Sequence, residues 1–329
     1  MELLGEIIDD IKAGKNYDSI LSELIVIIKL FLKKNPNVGP KEFQKLIRTI
    51  GGTIRKECPN AFPVLNFLTR VITTSRKANS IKDSNGRIDN NKLLFRVLSE
   101  NIKNRQTGGE VESVSNIIEI LNDLNDFETI AEEITSIAKS HIYSNETILV
   151  YGNSELLKDF ILSSLEDHEF TLIVVKNSTA DNLVFSSEPK NVTYITEYSV
   201  GSIMNKVSKV FMDCHSVMAD GAVINTSGSF NIAVLAKEYS VPVIVLAPLH
   251  NFTPFYAFSQ ESFNEFLRPQ KFFSRAYSAK SIEVQIAKYD LISSDYVTIL
   301  ITQYGEFPNS YVYRAFAEYY GEIEYGYEF

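Results

Sequence analysis

Apolar residues in the first part of the chain recur every three or four positions, the spacing of one buried helix face. Leu3, Leu4, Ile7, Ile8 and Ile11 form one such face, and Leu21, Leu24, Ile25, Ile28 and Leu32 form the next. Phe43, Leu46, Ile47 and Ile50 follow, then Val64, Leu65, Leu68, Val71 and Ile72. A long helix is predicted over 114–141, with Ile117, Ile118, Leu121, Leu124, Ile130, Ile134 and Ile137 inward. Two polar stretches, 79–91 with its Asn85-Gly86 turn signal and 103–110 with Gly108-Gly109, predict exposed loops.

Near residue 145 the pattern changes to short β-rich runs alternating with helices. Strands are predicted at 148–151, 172–175, 192–195, 210–212, 243–247 and 297–301, and their near-continuous apolar character suits a parallel sheet buried on both faces. Helices are predicted at 154–165, 199–207, 230–239 and 311–320. The fold class is therefore α/β: an N-terminal helical domain, 1–144, followed by a Rossmann-like doubly wound parallel sheet domain, 145–329. Within it, 209–248 reads as one β-loop-α-β unit whose loop, Ala219-Asp220-Gly221-Ala222, lies at the carboxyl end of a strand. Open α/β sheets bind ligands or partners at that end.

Composition narrows the function. The 329 residues carry a net charge of −9, a poor match to a general nucleic-acid binder. Two cysteines, Cys58 and Cys214, without a pairing pattern predict a reduced, cytosolic chain. The start, MELLGEIIDD, has no basic n-region and predicts no signal peptide. The longest apolar run, 24–32, is broken by Lys29 and falls short of the roughly 20 residues a membrane span needs.

Candidate chemistry is sparse. Tyr151-Gly152-Asn153-Ser154 after the first strand has a single glycine, too few for a dinucleotide fingerprint, and no phosphate-binding P-loop occurs. The Asn153 and Ser154 amides could hold an anion, but a helix N-cap is the preferred reading. His141, His168, His215 and His250 lack ligand spacing, so no metal and no cofactor are expected. Cys214 and His215 are adjacent, so their side chains should point apart. Asp213 and Asp220 flank the loop as acid–base candidates, although loop aspartates are more often turn formers. Lys41, Lys45, Arg48, Arg55, Lys56, Arg70, Arg76 and Lys77 form either a solvated helix face or one that receives an acidic or phosphorylated partner. The aromatic-rich end of the chain suits either burial in a partner or closure of its own sheet edge.

The residues Ser115-Asn116-Ile117-Ile118-Glu119, Ile142-Tyr143-Ser144-Asn145-Glu146, Ala219-Asp220-Gly221-Ala222, Ala236-Lys237, Ala247-Pro248 and Pro308-Asn309-Ser310-Tyr311-Val312-Tyr313-Arg314 carry a resemblance. The chain resembles the alpha, beta and delta regulatory-subunit family of eukaryotic translation initiation factor 2B from about residue 37 to 320, its final motif being of the beta type. This family also contains sugar-phosphate isomerases of the methylthioribose-1-phosphate and ribose-1,5-bisphosphate type, which use a catalytic cysteine before the sheet and a catalytic aspartate in the loop. Matching Gly221 and Asn225 to the isomerase loop puts His215 where that aspartate belongs, and no cysteine lies between Cys58 and Cys214. The resemblance thus implies a non-catalytic regulatory subunit of the guanine-nucleotide exchange factor for initiation factor 2, in the cytoplasm. The isomerase is the alternative. Implied partners are the alpha, gamma, delta and epsilon sister subunits and the alpha subunit of initiation factor 2, with no nucleic acid and no membrane. By the same resemblance Tyr143, Ser144, Asn145, Thr147 and Thr171 lie at a subunit interface. Arg48, Arg55, Lys56 and Arg70 face the phosphorylated partner, and Asp213, His215, Asp220, Gly221 and Asn225 belong to a degenerate active-site loop.

Overall fold

The structure is a computed structural model; it describes residues 2–13, 15, 17–35, 38–80, 127–165, 167–176, 191–256, 263–267 and 285–315. The polar stretch 103–110, nearly all of 79–91, the first part of the predicted 114–141 helix and residues 316–320 of the predicted last helix lie outside these. Two compact units divide the chain, one being Ile130–Val312 and the other taking the residues on either side of it.

The described part of the flanking unit is helical: α1 (Glu2–Ala13), α2 (Tyr17–Lys34), α3 (Pro40–Glu57) and α4 (Phe62–Ser80). The predicted face of α2 is buried throughout, with Leu21, Leu24, Ile25, Ile28 and Leu32 at 0–1% exposure. Phe43 and Ile47 of α3 and Val64, Leu65 and Leu68 of α4 are buried with them. These stripes are the unit's hydrophobic core, since each helix can satisfy its backbone alone but not its apolar side. Pro40 at the first turn of α3 costs no hydrogen bond, because the amide it lacks would have had no intrahelical partner. Among the described residues no helix is long and apolar enough to cross a membrane.

In the other unit α5 (Phe127–His141) precedes a seven-stranded sheet. Its strands are β1 (Thr147–Tyr151), β2 (Thr171–Lys176), β3 (Val192–Thr196), β4 (Lys209–Met212), β7 (Val243–Leu246), β11 (Ile299–Thr302) and β12 (Gly305–Phe307). The spatial order is β12-β11-β7-β4-β1-β2-β3, parallel except for β12, which runs antiparallel to β11. The six parallel strands thus follow the 3-2-1-4-5-6 order of a doubly wound fold, and the order reverses between β1 and β4. All six predicted strands are present, each within two residues of its expected ends. Ile148 and Val150 of β1, Phe211 of β4 and Ile244 of β7 pack with Ile134 of α5 and Phe160 of α6 (Glu155–Leu165) into one core. On the opposite face, Leu149, Tyr151, Val210 and Met212 are buried on the side of α7 (Ser229–Glu238).

Two expectations change. The predicted 199–207 helix is present as three short helical pieces, one α-helical turn, Val200–Ile203, between 3-10 turns at Glu197–Ser199 and Met204–Lys206. Gly201, Ser202 and Asn205 are weak helix formers, and burial of Val200 and Met204 is enough to hold the turns. The loop after β4 contains a hairpin, β5 (Ser216–Val217) and β6 (Val223–Thr226), extended by β10 (Tyr289–Ile292) into a three-stranded antiparallel sheet. Strands of two and four residues are too short for an alternation pattern to stand out. A further pair, β8 (Phe266–Leu267) and β9 (Ile286–Ala287), has the same character.

Candidate functional site

Tyr151 of β1 and Met212 of β4 are register partners, so Gly152 and Asp213 emerge side by side at the carboxyl end of the sheet, at the switch point. Gly152 has φ +148°, and a Cβ there would lie 2.4–2.5 Å from the Asp213 carboxyl atoms. The Asp213 Oδ2 accepts hydrogen bonds from the amides of Asn153 and Ser154, each at 2.9 Å. Those are the amides that would hold an external anion at the start of α6, and here the chain's own carboxylate holds them. Ser154 also acts as the predicted N-cap, its Oγ accepting from the Leu157 amide at 3.2 Å. Asp213 is 8% exposed. Burial pushes its carboxyl above the ordinary carboxylate range, against the Asn153 and Ser154 hydrogen bonds that favour the ionised form.

The start of α7 repeats the arrangement. Asp290 Oδ2, arriving from β10, accepts from the amides of Gly228 at 2.7 Å and Phe230 at 3.2 Å. Gly228 has φ +103°, and a Cβ would lie 2.7 Å from both Glu197 Oε2 and Tyr151 Oη. The Tyr151 hydroxyl donates to the Ser227 carbonyl. Burial pushes the Tyr151 phenol above its usual range, and the nearby carboxylates of Glu197, Asp290 and Asp213 add to the shift. Three carboxylates, Asp213, Asp290 and Glu197, therefore lie near Tyr151 at the carboxyl end of β1. Asp290, Glu197 and Gly228 carry no local sequence signal, because their roles rest on partners up to 77 residues away in sequence (Tyr151 to Gly228).

The remaining loop residues turn away from one another. The Cys214 thiol donates to the Leu246 carbonyl at 3.4 Å, and burial raises it to about 12. The His215 ring stacks on Tyr289 instead, with centroids 4.5 Å apart and planes 18° apart. The two side chains diverge as their adjacency predicts. Asp220 is exposed, and its Oδ1 accepts from the Ala222 amide at 3.1 Å, which makes it a turn former. Gly221 takes φ +80° against Asn309, 3.1 Å from its would-be Cβ. The Asn309 amide group donates to the Ser294 and Val297 carbonyls at 2.6 and 2.8 Å. Two motifs far apart in sequence, Ala219-Asp220-Gly221-Ala222 and Pro308-Asn309-Ser310, thus meet here. Asn225 is buried and donates from Nδ2 to the Asp213 carbonyl at 2.8 Å, fixing the backbone of the aspartate.

These thiols make a direct prediction. A low-pKa thiolate is the reactive form of cysteine. The native chain should therefore leave Cys214 and buried Cys58 unmodified by a thiol reagent at pH 8, while both react in denaturant. Rapid native labelling of half-buried Cys214 would contradict the raised pKa of its thiol.

At the opposite, amino end of the sheet, Tyr143, Ser144, Asn145, Thr147 and Thr171 come together. Thr147 and Thr171 are register partners, and the amides of Asn145 and Thr171 donate to the Glu169 and Glu146 carbonyls at 2.8 and 2.9 Å. Lys209 supports the patch from behind. It pairs with Glu146 at 2.8 Å, donates to the His141 carbonyl at 2.6 Å and lies 4.6 Å from the Tyr143 ring centroid. Tyr143 is 54% exposed. In the helical unit Arg55 and Lys56 are exposed on α3 and Arg48 is half-buried, whereas Nε and Nη1 of Arg70 on α4 are buried. Among the described residues no group of three or more histidines, cysteines, aspartates or glutamates is placed to hold a metal.

The family described as the initiation factor 2 subunit family matches residues 18–309. A protein of Dictyostelium discoideum named translation initiation factor eIF2B subunit beta is 33% identical over 212 residues, covering 62% of this chain and 55% of that relative. Ribose 1,5-bisphosphate isomerase of Archaeoglobus fulgidus is 24% identical over 201 residues, covering 59% of this chain and 64% of the relative. The chain thus spans little more than half the length of the curated relatives it matches. In fold it resembles a chain of the tetrameric eIF2B-beta2-delta2 complex from C. thermophilum, with TM-score 0.67, 18% identity, and 96% of this chain and 94% of that chain covered.

Proposed function

The chain belongs to the initiation factor 2 subunit family, and from that premise we propose that it is a beta-type, non-catalytic regulatory subunit of the guanine-nucleotide exchange factor for translation initiation factor 2, working in the cytoplasm. The observation that carries this reading is the occupied switch point. A sugar-phosphate isomerase needs free donors for its phosphate and an acid–base group over the sugar. Here the Asn153 and Ser154 amides hold Asp213, and His215, matched to the isomerase aspartate, lies flat on Tyr289.

In this reading the helical domain, 1–144, receives the alpha subunit of initiation factor 2, and the α/β domain, from 145, builds the core with the sister subunits. The exposed Tyr143–Thr147 and Thr171 patch is the surface for a delta-type sister, supported by the likeness in fold to a chain of a beta2-delta2 complex. Arg48, Arg55 and Lys56 are assigned to the side that meets the phosphorylated alpha subunit, since charge-assisted hydrogen bonds to phosphate are the stronger kind, while the buried Nε and Nη1 of Arg70 take it out of that set. The alternative, a sugar-phosphate isomerase, is favoured by the likeness to the Archaeoglobus enzyme.

One purification separates them. The tagged chain, isolated from its native cytosol and weighed for stoichiometry, should carry four further subunits together with initiation factor 2. The combined Arg48→Glu and Arg55→Glu change should lower recovery of phosphorylated initiation factor 2 more than of the unphosphorylated form. A bare homodimer that turns over a ribose-1-phosphate would overturn the regulatory reading in favour of the isomerase.

A further inference from the structure

We propose that Asp213 is a built-in occupant of the switch-point anion site, and that this closes the cleft to phosphate-bearing ligands. The proposal deepens the non-catalytic reading and rests on it, but its test is independent of any partner. The geometry is that of a bound anion rather than of an incidental contact. One carboxylate oxygen receives two consecutive helix-start amides at 2.9 Å each. A glycine in a left-handed conformation leaves the space that the carboxyl group fills. Asn225 Nδ2 fixes the aspartate's own carbonyl at 2.8 Å. The second helix start facing the same cleft is satisfied in the same way, by Asp290 on the amides of Gly228 and Phe230. Glu197, whose Oε2 lies close to Gly228, adds a third carboxylate near Tyr151. An incoming phosphate therefore meets occupied donors and negative charge together. To be admitted it would have to take the helix-start amides from a carboxylate, which would then lose its own hydrogen-bond partners beside a second anion.

The test uses the full chain and three probes: inorganic phosphate, ribose 5-phosphate and formate, a carboxylate small enough to replace the deleted group. Isothermal titration of the parent chain should show no saturable binding of phosphate or of ribose 5-phosphate up to millimolar concentration. The Asp213→Ala variant should unfold at a lower temperature than the parent. Formate should raise its midpoint saturably beyond a chloride control of equal ionic strength, while leaving the parent unmoved. Asp213→Asn, which keeps an acceptor oxygen, should lie between the two and gain nothing from formate. If Asp213→Ala does not fold, the same formate series on Asp290→Ala, together with the parent titration, still decides the matter. Saturable phosphate binding by the parent, or formate stabilising parent and alanine variant equally, overturns the proposal. Either result would remove the occupied switch point as an argument against an isomerase, but the subunit reading would still be decided by the purification, because a regulatory subunit can bind phosphate without turning it over.

Discussion

Gly152→Ala should destabilise the chain by about 2–6 kcal/mol, adding left-handed backbone strain of about 1–3 kcal/mol to overpacking of about 1–3 kcal/mol. The new methyl group would sit 2.4–2.5 Å from three atoms of the Asp213 carboxyl, and those atoms are anchored rather than free. For the carboxyl to swing aside it must release the Asn153 and Ser154 amides, giving up two hydrogen bonds to a largely buried carboxylate. Such a loss is a large share of the about 5–15 kcal/mol that ordinarily separates folded from unfolded chains. Equilibrium denaturation of the parent and variant measures it. Gly52→Ala is the control, since nothing lies within 4 Å of a Cβ there and the helix interior favours alanine. That change should stabilise by about 0.5–1 kcal/mol. A Gly152→Ala variant within 0.5 kcal/mol of the parent, on the usual scale for surface changes, would show that the Asp213 carboxyl is not held in place.

Phe211→Ala should cost about 3–5 kcal/mol, the range for deleting a fully buried aromatic ring. Phe211 is at 0% exposure in β4, beside the switch point, with Ile244 of β7 as its register partner. Its ring lies 5.3 Å from that of Phe160 on α6, inclined by 45°. The site is bounded by a sheet strand on one side and a helix on the other, so the cavity cannot collapse without moving either. Phe211→Leu keeps most of the volume and should cost less than about 1.5 kcal/mol. A double-mutant cycle with Phe160→Leu should return a coupling of about 0.5–1.5 kcal/mol for the ring pair. A loss below 1 kcal/mol for Phe211→Ala, on the same denaturation measurement, would mean that this core is loosely packed.

Elements were legible wherever burial imposes a period. The α2 stripe from Leu21 to Leu32 and the continuous apolar runs of β1, β4 and β7 are buried as expected, because backbone geometry alone decides which side chains share a face. The hairpin Ser216–Thr226 was not legible, because its strands are too short to show alternation and its third strand, β10, lies more than 60 residues further on. The candidate site was legible in part. The Ala219-Asp220-Gly221-Ala222 turn, the Ser154 cap and the divergence of Cys214 from His215 all follow from local chemistry and are present.

The sequence by itself determined the α/β class, the helical segment ahead of it and the position of the loop at the carboxyl end of β4, since these depend on hydrophobic spacing and on turn residues within a few positions of each other. Only the tertiary structure decided what that loop does. Asp213 read as an acid–base candidate or a turn former, and it is the carboxylate that satisfies the start of α6, reached from a strand 60 residues later in the chain. Asp290 satisfies the start of α7 from 62 residues away. A helix-start amide has no partner within its helix, and any carboxylate that the sheet brings alongside will serve. The demand can be written locally in the chain, while the group that meets it is chosen by which strands lie next to each other.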